Sequence, residues 1–524
     1  MSYDPFVADR LPGDDELPEF LLFDYPERLN AAAELLMGGR PDDLAVINDH
    51  GRWSYAELDR FSGCIARLLV EQEGLVAGNR VLLRGPNGYT LFAAWLGVLK
   101  AGGIAVTTMP LLRPGELATV IDRARISHAI VDSRFIGDFR EAVDQTCSVR
   151  HIAKYDGDYG KGELETRCSE LEPLAAVETG RDDPAMIAFT SGTTGLPKGC
   201  VQFHRDILAP CDSFAARHFP MAPGDIVMAS APIAFTFGLG ATLMFPLRAG
   251  AACATIEQPS PRAMTEAIAR HGVTHLATAP TAYKAMLSQP GLEQALETLT
   301  SCLSAGEHLP RSTWEAWKER TGIAIVDGIG STEMMHIFIA ESGENIRPGA
   351  TGRAVPGYVA AVLDEAGREL DQGEGRLAVK GPTGCRYLDD KRQLDYVQHG
   401  WNITGDTYRK DGDGYFWYVA RSDDMIVSSG YNIGAPEVEN SLLAHPAVAE
   451  CAVVGVPCPE RGQKVKAFIV AATGIEPGES LIDELKSFVK ANIAPYKYPR
   501  EIEFVDALPK TATGKLRRVE LRNR

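Results

Sequence analysis

Thr190-Ser191-Gly192-Thr193-Thr194-Gly195-Leu196-Pro197-Lys198-Gly199 is the stretch that decides how the rest of this chain is read. Ten residues carry four small hydroxyls, three glycines and one lysine. Glycines let a loop turn tightly and bring backbone N–H groups close to a ligand. Hydroxyls and N–H groups together cradle phosphate oxygens, and a lysine adds a point charge. The string is not a Walker A loop, because Lys198 is followed by Gly199 and not by Ser or Thr. Taken alone, it also fits a Gly/Thr-rich surface turn.

The bulk properties narrow the classes. A chain of 524 residues is long enough for more than one domain. Its 45% hydrophobic and 23% charged content is that of an ordinary globular protein. A net charge of −17 argues against nucleic acid as the main partner, since phosphate backbones need basic faces. The 10 cysteines include no CxxC pair, so reduced thiols are expected rather than a zinc or redox site. The acidic, proline-bearing N-terminus resembles neither a signal nor a transit peptide. The most apolar region, Leu91 to Leu112, is broken by Lys100 and glycines, which argues against a membrane span. A cytoplasmic protein without membrane partners is expected.

Along the chain, helix-period apolar spacing is read over 29–75 and 88–102. Short apolar runs follow at Arg80–Leu83, Gly103–Val106 and His128–Val131. A second round has helical Arg262–His271, a strand at Val273–Ala277 and a helix at Pro280–Leu287. Alternation of this kind predicts α/β layers with largely parallel sheets. Near Ile403–Lys410 the pattern turns to acidic and glycine turns between short aromatic strands such as Tyr415–Val419. After Arg421 comes a compact region with strands at 450–456 and 465–471 and a helix at 480–493. A domain boundary is expected at Asp423, giving units 1–422 and 423–524.

The phosphate-loop string resembles that of the adenylate-forming superfamily: acyl- and aryl-CoA ligases, peptide-synthetase adenylation domains and luciferase. Further segments carry the resemblance from roughly residue 25 to 518. The family implies a large N-terminal domain of layered α/β subdomains with a small β-barrel-like part, and a small mobile α+β C-terminal domain. It implies ATP binding by Ser191, Gly192, Thr193, Thr194 and Lys198, with Thr190 catalytic. Gly328-Ile329-Gly330-Ser331-Thr332-Glu333 resembles the adenylate motif, whose glutamate binds Mg2+ bridging the ATP phosphates. Magnesium prefers oxygen ligands, commonly one or two carboxylates with phosphates, so Glu333 fits as catalytic and metal-binding. On the residues alone, the same string reads as a helix N-cap with Thr332 and Glu333 in the first turn. Ile329 stands where relatives often carry a tyrosine against adenine, and Asp327 and Gly328 are expected at the purine edge. Ala305-Gly306-Glu307 resembles the segment lining adenine and the acyl pocket, although a strand-end turn fits it too.

Thr404-Gly405-Asp406 resembles the motif whose aspartate holds both ribose hydroxyls, and one carboxylate can accept two O–H donors. Arg421 follows as the ribose- or phosphate-contacting arginine. Asp423 falls at the family hinge, whose torsions would change as the small domain rotates. Gly430 and Tyr431 lie in the loop that approaches the pantetheine arm of coenzyme A in CoA-forming relatives. The terminal Pro509-Lys510-Thr511-Ala512-Thr513-Gly514-Lys515 matches the motif carrying the catalytic lysine. An ammonium at Lys515 would stabilise the charge that builds up during adenylation. Outside the resemblance, that segment reads as a basic solvated tail.

Phe235, Phe237 and Gly238 match the acyl-pocket segment, and relatives often have histidine at the place of Phe235. Aromatic walls favour packing on a flat apolar substrate, although a core aromatic pair fits equally well. The string Gly328–Ile339, with His336 three residues past Glu333, resembles benzoate-CoA and 2-aminobenzoate-CoA ligases. Gly330, Ala305 and His336 would line the substrate, with His336 near an ortho substituent or simply buried. The expected function is an ATP- and Mg2+-dependent aryl-acid:CoA ligase acting through an aryl-AMP. Its expected partners are a small aromatic carboxylic acid, ATP and coenzyme A. The alternative is an aryl-acid adenylating enzyme that loads a separate carrier protein. A homodimer stays open.

Overall fold

The computed structural model describes residues 3–523 except 159, 191–196, 422–424, 429–430, 459–461, 494 and 511–515, together with the side chains of 427, 431, 432 and 462. Among the described residues, strands form four sheets. In the first, His151–Tyr155, His128–Asp132, Arg80–Arg84, Ile104–Thr108 and Pro184–Thr190 run parallel, and Lys198–Phe203 returns antiparallel at the edge. The described ends of the glycine-rich string lie on neighbouring antiparallel strands, with Thr190 opposite Lys198.

The second sheet has six neighbouring parallel strands: Ile325–Gly330, Ser301–Ser304, His275–Thr278, Ile226–Ala229, Ala252–Ala254 and Leu44–Asn48. Antiparallel strands close both ends: Gly51–Ser54 on one side, Ile337–Ala340 and Arg353–Ala354 on the other. All twelve residues of helix Tyr89–Lys100 are buried. One apolar cluster explains this: it joins that helix to Val81, Leu83 and Ala105 of the first sheet and Val46, Val227 and Leu303 of the second. A helix between two sheets needs no polar face, which is why this segment reads as nearly continuous apolar sequence. Its terminal Lys100 is buried and paired with Asp59 of helix Tyr55–Arg67 at 2.6 Å. The opposite faces pack elsewhere. Leu82 and Val106 meet helix Pro114–Ala124, while Met228, Leu276 and Ile325 meet Pro261–His271 and Arg311–Thr321. The result is the layered α/β architecture that the alternation implied.

One expectation is corrected. The helix-period reading over 29–75 holds for Ala31–Leu36 and Tyr55–Arg67, but Leu44–Asn48 and Gly51–Ser54 form a hairpin between them. Val46 and Ile47 face opposite cores, so the run is apolar on both sides and carries no strand alternation. The next helix starts where Ser54 caps it: its hydroxyl accepts from the Glu57 amide, and Glu57 reaches back to the Ser54 amide.

The third sheet is antiparallel and comprises Glu369–Leu370, Val359–Leu363, Gly373–Lys380, Trp401–Lys410 and Val397–Gln398, with Phe416–Arg421 also on Trp401–Lys410. Residues 425–504 build the fourth sheet, in which Glu501–Phe504 adds a parallel strand to Gly462–Ala471. Helices Ala435–Leu443 and Glu479–Asn492 cover it through Val438, Leu442, Leu485 and Val489. This C-terminal part is α+β, as expected. Among the described residues no helix is long and apolar enough to cross a membrane.

Candidate active site

Six residues, Ser331–His336, follow strand Ile325–Gly330. This strand is parallel to Ser301–Ser304 but antiparallel to Ile337–Ala340, so Ser331–His336 is a hairpin tip. The N-cap reading of Thr332 and Glu333 is thereby corrected, because no helix starts here. The Met334 amide donates to Ser331 Oγ at 3.2 Å, and the Met335 amide to Thr332 O at 3.2 Å. Met335 takes φ 64°, in the left-handed region. Gly330 has to be glycine: a Cβ there would sit 2.5 Å from His336 O. The tip is held from outside by Gln202, whose amide donates to Thr332 O at 2.8 Å, and by Thr383, whose hydroxyl donates to Met334 O at 2.8 Å. Sequence reading missed both clamps.

Glu333 and His336 meet different surroundings. Glu333 is buried and faces the first sheet. Tyr387 Oη donates to Glu333 Oε1, and Lys198 Nζ donates to Tyr387 Oη at 2.6 Å. Lys198 Nζ is 3.8 Å from Glu333 Oε1 and 4.5 Å from the centre of the Tyr387 ring. Tyr396 stands edge-on to Tyr387, and its hydroxyl is 3.1 Å from Ser331 Oγ. Burial, and then the Glu333 charge, push the Tyr387 phenol far up, so it stays a protonated donor. The structure thus brings Lys198, Ser331 and Glu333 together and adds Tyr387 and Tyr396, which the sequence reading had not singled out. Thr190 ends its strand beside Lys198, and its hydroxyl is buried with no partner among the described residues. Such an orphaned hydroxyl suits a ligand oxygen. Among the described residues no three His, Cys, Asp or Glu converge as a metal cage. Glu333 fits Mg2+ in the manner of a single carboxylate, the remaining ligands being phosphate and water.

His336 lies within an aromatic cage: ring centroids are 4.5 Å from Phe245, 5.7 Å from Phe214 and 5.7 Å from Phe237. It is 2% exposed. Nε2 is 3.3 Å from Phe237 O, and Nδ1 is buried without a partner among the described residues. A carbonyl partner assigns the proton to Nε2 and leaves a lone pair on Nδ1. Burial lowers the imidazole pKa to about 3, so the ring is neutral near pH 7. Phe235 precedes the short helix Thr236–Leu239 as its N-cap, Phe237 lies within it, and both are half-buried. Gly238 and Gly240 cannot carry side chains: a Cβ on Gly238 would sit 2.2 Å from Pro232 O, and one on Gly240 2.3 Å from His336 Cδ2.

Asp327 belongs to the same strand as Gly330, opposite Ser304. Burial pushes its pKa up to about 8, and its Oδ1 lacks a partner among the described residues. Gly328 lies against Ile337, and Ile329 packs half-buried on the main core. Ala305 is buried, while Gly306 is exposed with φ 88° at the end of strand Ser301–Ser304, next to Glu307. Asp406 is buried and lies in register with Arg421 on the neighbouring strand, Nε to Oδ1 3.5 Å. Gly405 takes φ 76°, and a Cβ there would lie 3.5 Å from Arg421 Nη2. Burial first, and then the charges of Asp406 and Asp327, raise the Tyr408 phenol. Ser191, Gly192, Thr193, Thr194, Asp423, Gly430 and Lys515 lie outside the described residues, as does the Tyr431 side chain.

The AMP-binding enzyme family matches residues 36–386, and the AMP-binding enzyme C-terminal domain matches 437–515. The chain belongs to this family. Within the adenylate-forming superfamily it falls in the benzoate and 2-aminobenzoate branch. It is 36% identical over 509 residues to a benzoate–CoA ligase of Thauera aromatica, covering 95% of this chain and 96% of that one. A crystal structure of the anthranilate CoA ligase AuaEII in complex with anthranoyl-AMP superposes with TM-score 0.90 at 33% identity, covering 95% of this chain and 98% of that one. A benzoate CoA ligase from Burkholderia xenovorans LB400 gives TM-score 0.87 at 34% identity, covering 94% and 99%.

Proposed function

We propose that this family member joins a small aromatic carboxylic acid to coenzyme A at the expense of ATP. The protein is an AMP-forming acid–thiol ligase. The observation that carries the reading is the division of the hairpin tip: Glu333 faces Lys198 while His336, three residues on, sits in the phenylalanine cage. Phosphate-handling and ring-handling groups thus adjoin, as transfer of an adenylate to a ring-borne carboxylate requires. The names of its relatives, benzoate and anthranilate CoA ligases, support the same substrate class.

In this reading Thr190, Lys198 and the loop 191–194 hold the ATP phosphates. Glu333 would bind Mg2+, which supplies charge neutralisation at those phosphates. Asp406 and Arg421 hold the ribose, and Asp327 to Thr332 with Gly306 and Glu307 border the purine. Phe235, Phe237, Gly238, Ala305, Gly330 and His336 line the acid. Carboxylate attack on the α-phosphate gives an aryl-AMP and pyrophosphate, with Lys515 stabilising the charge that develops. The coenzyme A thiolate then attacks the acyl carbon beside Gly430 and Tyr431, forms the thioester and expels AMP. Splitting acyl transfer this way replaces one difficult step with two easier ones. The division of labour fits units 1–422 and 423–524 pivoting at Asp423.

Neutral His336, with its unpaired Nδ1 lone pair, favours 2-aminobenzoate over benzoate: an ortho N–H can donate to it. ATP–pyrophosphate exchange with a panel of aryl and alkyl acids tests the reading. Exchange with 2-aminobenzoate or benzoate, and AMP release upon adding coenzyme A, is the expected result. Efficient exchange with dodecanoate would overturn the aryl assignment, and acylation of a carrier protein in preference to coenzyme A would overturn the acceptor.

A further inference from the structure

Tyr387 stands between two charges. Lys198 Nζ and Glu333 Oε1 are 3.8 Å apart, too far for the direct contact of about 2.8 Å that such a pair adopts when nothing intervenes. The Tyr387 hydroxyl accepts from the lysine at 2.6 Å and donates to the glutamate. The phenol is fixed by its backbone. The Leu388 amide donates to Gly199 O and the Val201 amide to Arg386 O, each at 2.8 Å, so the Tyr387 segment is laced to the strand that carries Lys198. The Tyr387 amide donates to Gln393 Oε1 at 3.0 Å, and the ring rests edge-on against Tyr396 at 5.9 Å. Tyr387 is 1% exposed, so its hydroxyl has no solvent alternative.

We propose that Tyr387 is a positioning residue that keeps Lys198 and Glu333 from closing into an ion pair and so leaves both available to MgATP. The proposal rests on the ATP-dependent reading above. A lysine held by a neutral phenol exchanges that acceptor for a phosphate oxygen with no charge left unpaired. A lysine locked on a buried carboxylate would have to break a salt bridge first, and would also occupy the oxygen needed for the cation. Tyr387 and Lys198 both approach Glu333 on Oε1, so the tyrosine also fixes the orientation of the carboxylate.

Tyr387→Phe keeps the ring and removes the bridge. Calorimetric titration with ATP in excess Mg2+ should then show binding at least about tenfold weaker, the scale of one hydrogen bond to a charged group. The KM for ATP in pyrophosphate exchange should rise in step, with kcat changed far less. The coupling is read with Glu333→Gln. Against that neutral partner no ion pair forms, so adding Tyr387→Phe should weaken ATP binding by no more than about twofold. Thermal unfolding of each variant accompanies the titrations, and the comparison within the Glu333→Gln background holds even where Tyr387→Phe alone lowers stability. An equal penalty in both backgrounds reduces Tyr387 to a packing residue and overturns the proposal, as does unchanged MgATP binding in Tyr387→Phe. A wild-type chain that binds no MgATP overturns the functional reading itself, and the proposal with it.

Discussion

Replacing His336 by phenylalanine should separate two acids that differ by one amino group. In the structure the imidazole Nε2 faces Phe237 O at 3.3 Å, and Nδ1 is buried with a lone pair that no described residue uses. With the pKa lowered to about 3 by burial, that lone pair is present throughout the working pH range. An ortho amino group donating to it forms a neutral hydrogen bond, worth about 0.5–1.5 kcal/mol net. Phenylalanine removes the acceptor and leaves a buried N–H unpaired, at about 1–3 kcal/mol. The kcat/KM ratio of 2-aminobenzoate to benzoate should therefore fall by about tenfold, with a ceiling near a hundredfold. The ring slot is tight: a Cβ on Gly240 would sit 2.3 Å from His336 Cδ2. Repacking strain from the larger ring falls on both acids and cancels in the ratio. The assay is initial-rate thioester formation with each acid, wild type against His336→Phe. An unchanged ratio, whatever the absolute rates, would refute the assignment of Nδ1 to the ortho substituent.

Asp406→Ala should weaken ATP binding by about tenfold or more, because the ribose contacts it would lose are made in ground and transition state alike; normal ATP binding by calorimetry would misplace the ribose site. Lys515→Ala should raise the adenylation barrier by roughly 3–4 kcal/mol while sparing thioester formation from preformed aryl-AMP; an equal loss in both half-reactions, followed by rapid quench, would contradict that division of labour. His336 is neutral when folded and titrates near its ordinary value of about 6.5 when unfolded. The unfolded chain thus binds one more proton between about pH 4 and 6, so this histidine's contribution is complete above about 6.5 and is lost as pH falls. His336→Gln should flatten the pH dependence of the unfolding free energy in that window by about 1.4 kcal/mol per pH unit, measured by denaturant titration; an unchanged slope would mean the ring is charged in the folded state.

Local signals were legible where the chain's immediate neighbours decide the outcome. The apolar runs at Arg80–Leu83, Gly103–Val106 and His128–Val131 became strands, and helix 480–493 appeared as Glu479–Asn492, one residue displaced. The hairpin Leu44–Ser54 was lost in a helical reading because its apolar run is buried on both faces and shows neither period. Ser54-Tyr-Ala-Glu57 was the available signal, since a capping box marks where the next helix begins. The hairpin tip Ser331–His336 was read as a helix start for a related reason. A serine, a threonine and a glutamate after glycine satisfy N-cap chemistry, and only the pairing of Ile325–Gly330 with Ile337–Ala340 rules it out.

The site itself divides along the same line. Lys198, Glu333, Asp406 and Arg421 stood out because each sits in a short string whose residue types suit one chemical task. Tyr387 sits in no such string. It lies 189 residues from Lys198 and 54 from Glu333, and it reaches both only because its segment is hydrogen-bonded to the edge strand Lys198–Phe203. Gln202 and Thr383 clamp the hairpin tip Ser331–His336 from comparable distances, 130 and 49 residues away in sequence. Groups that meet a ligand must have particular chemistry, and that chemistry shows in the sequence. Groups that hold those side chains in place need only a hydroxyl or an amide at the right point in space. Many residues could supply that, so only the fold can say which one does.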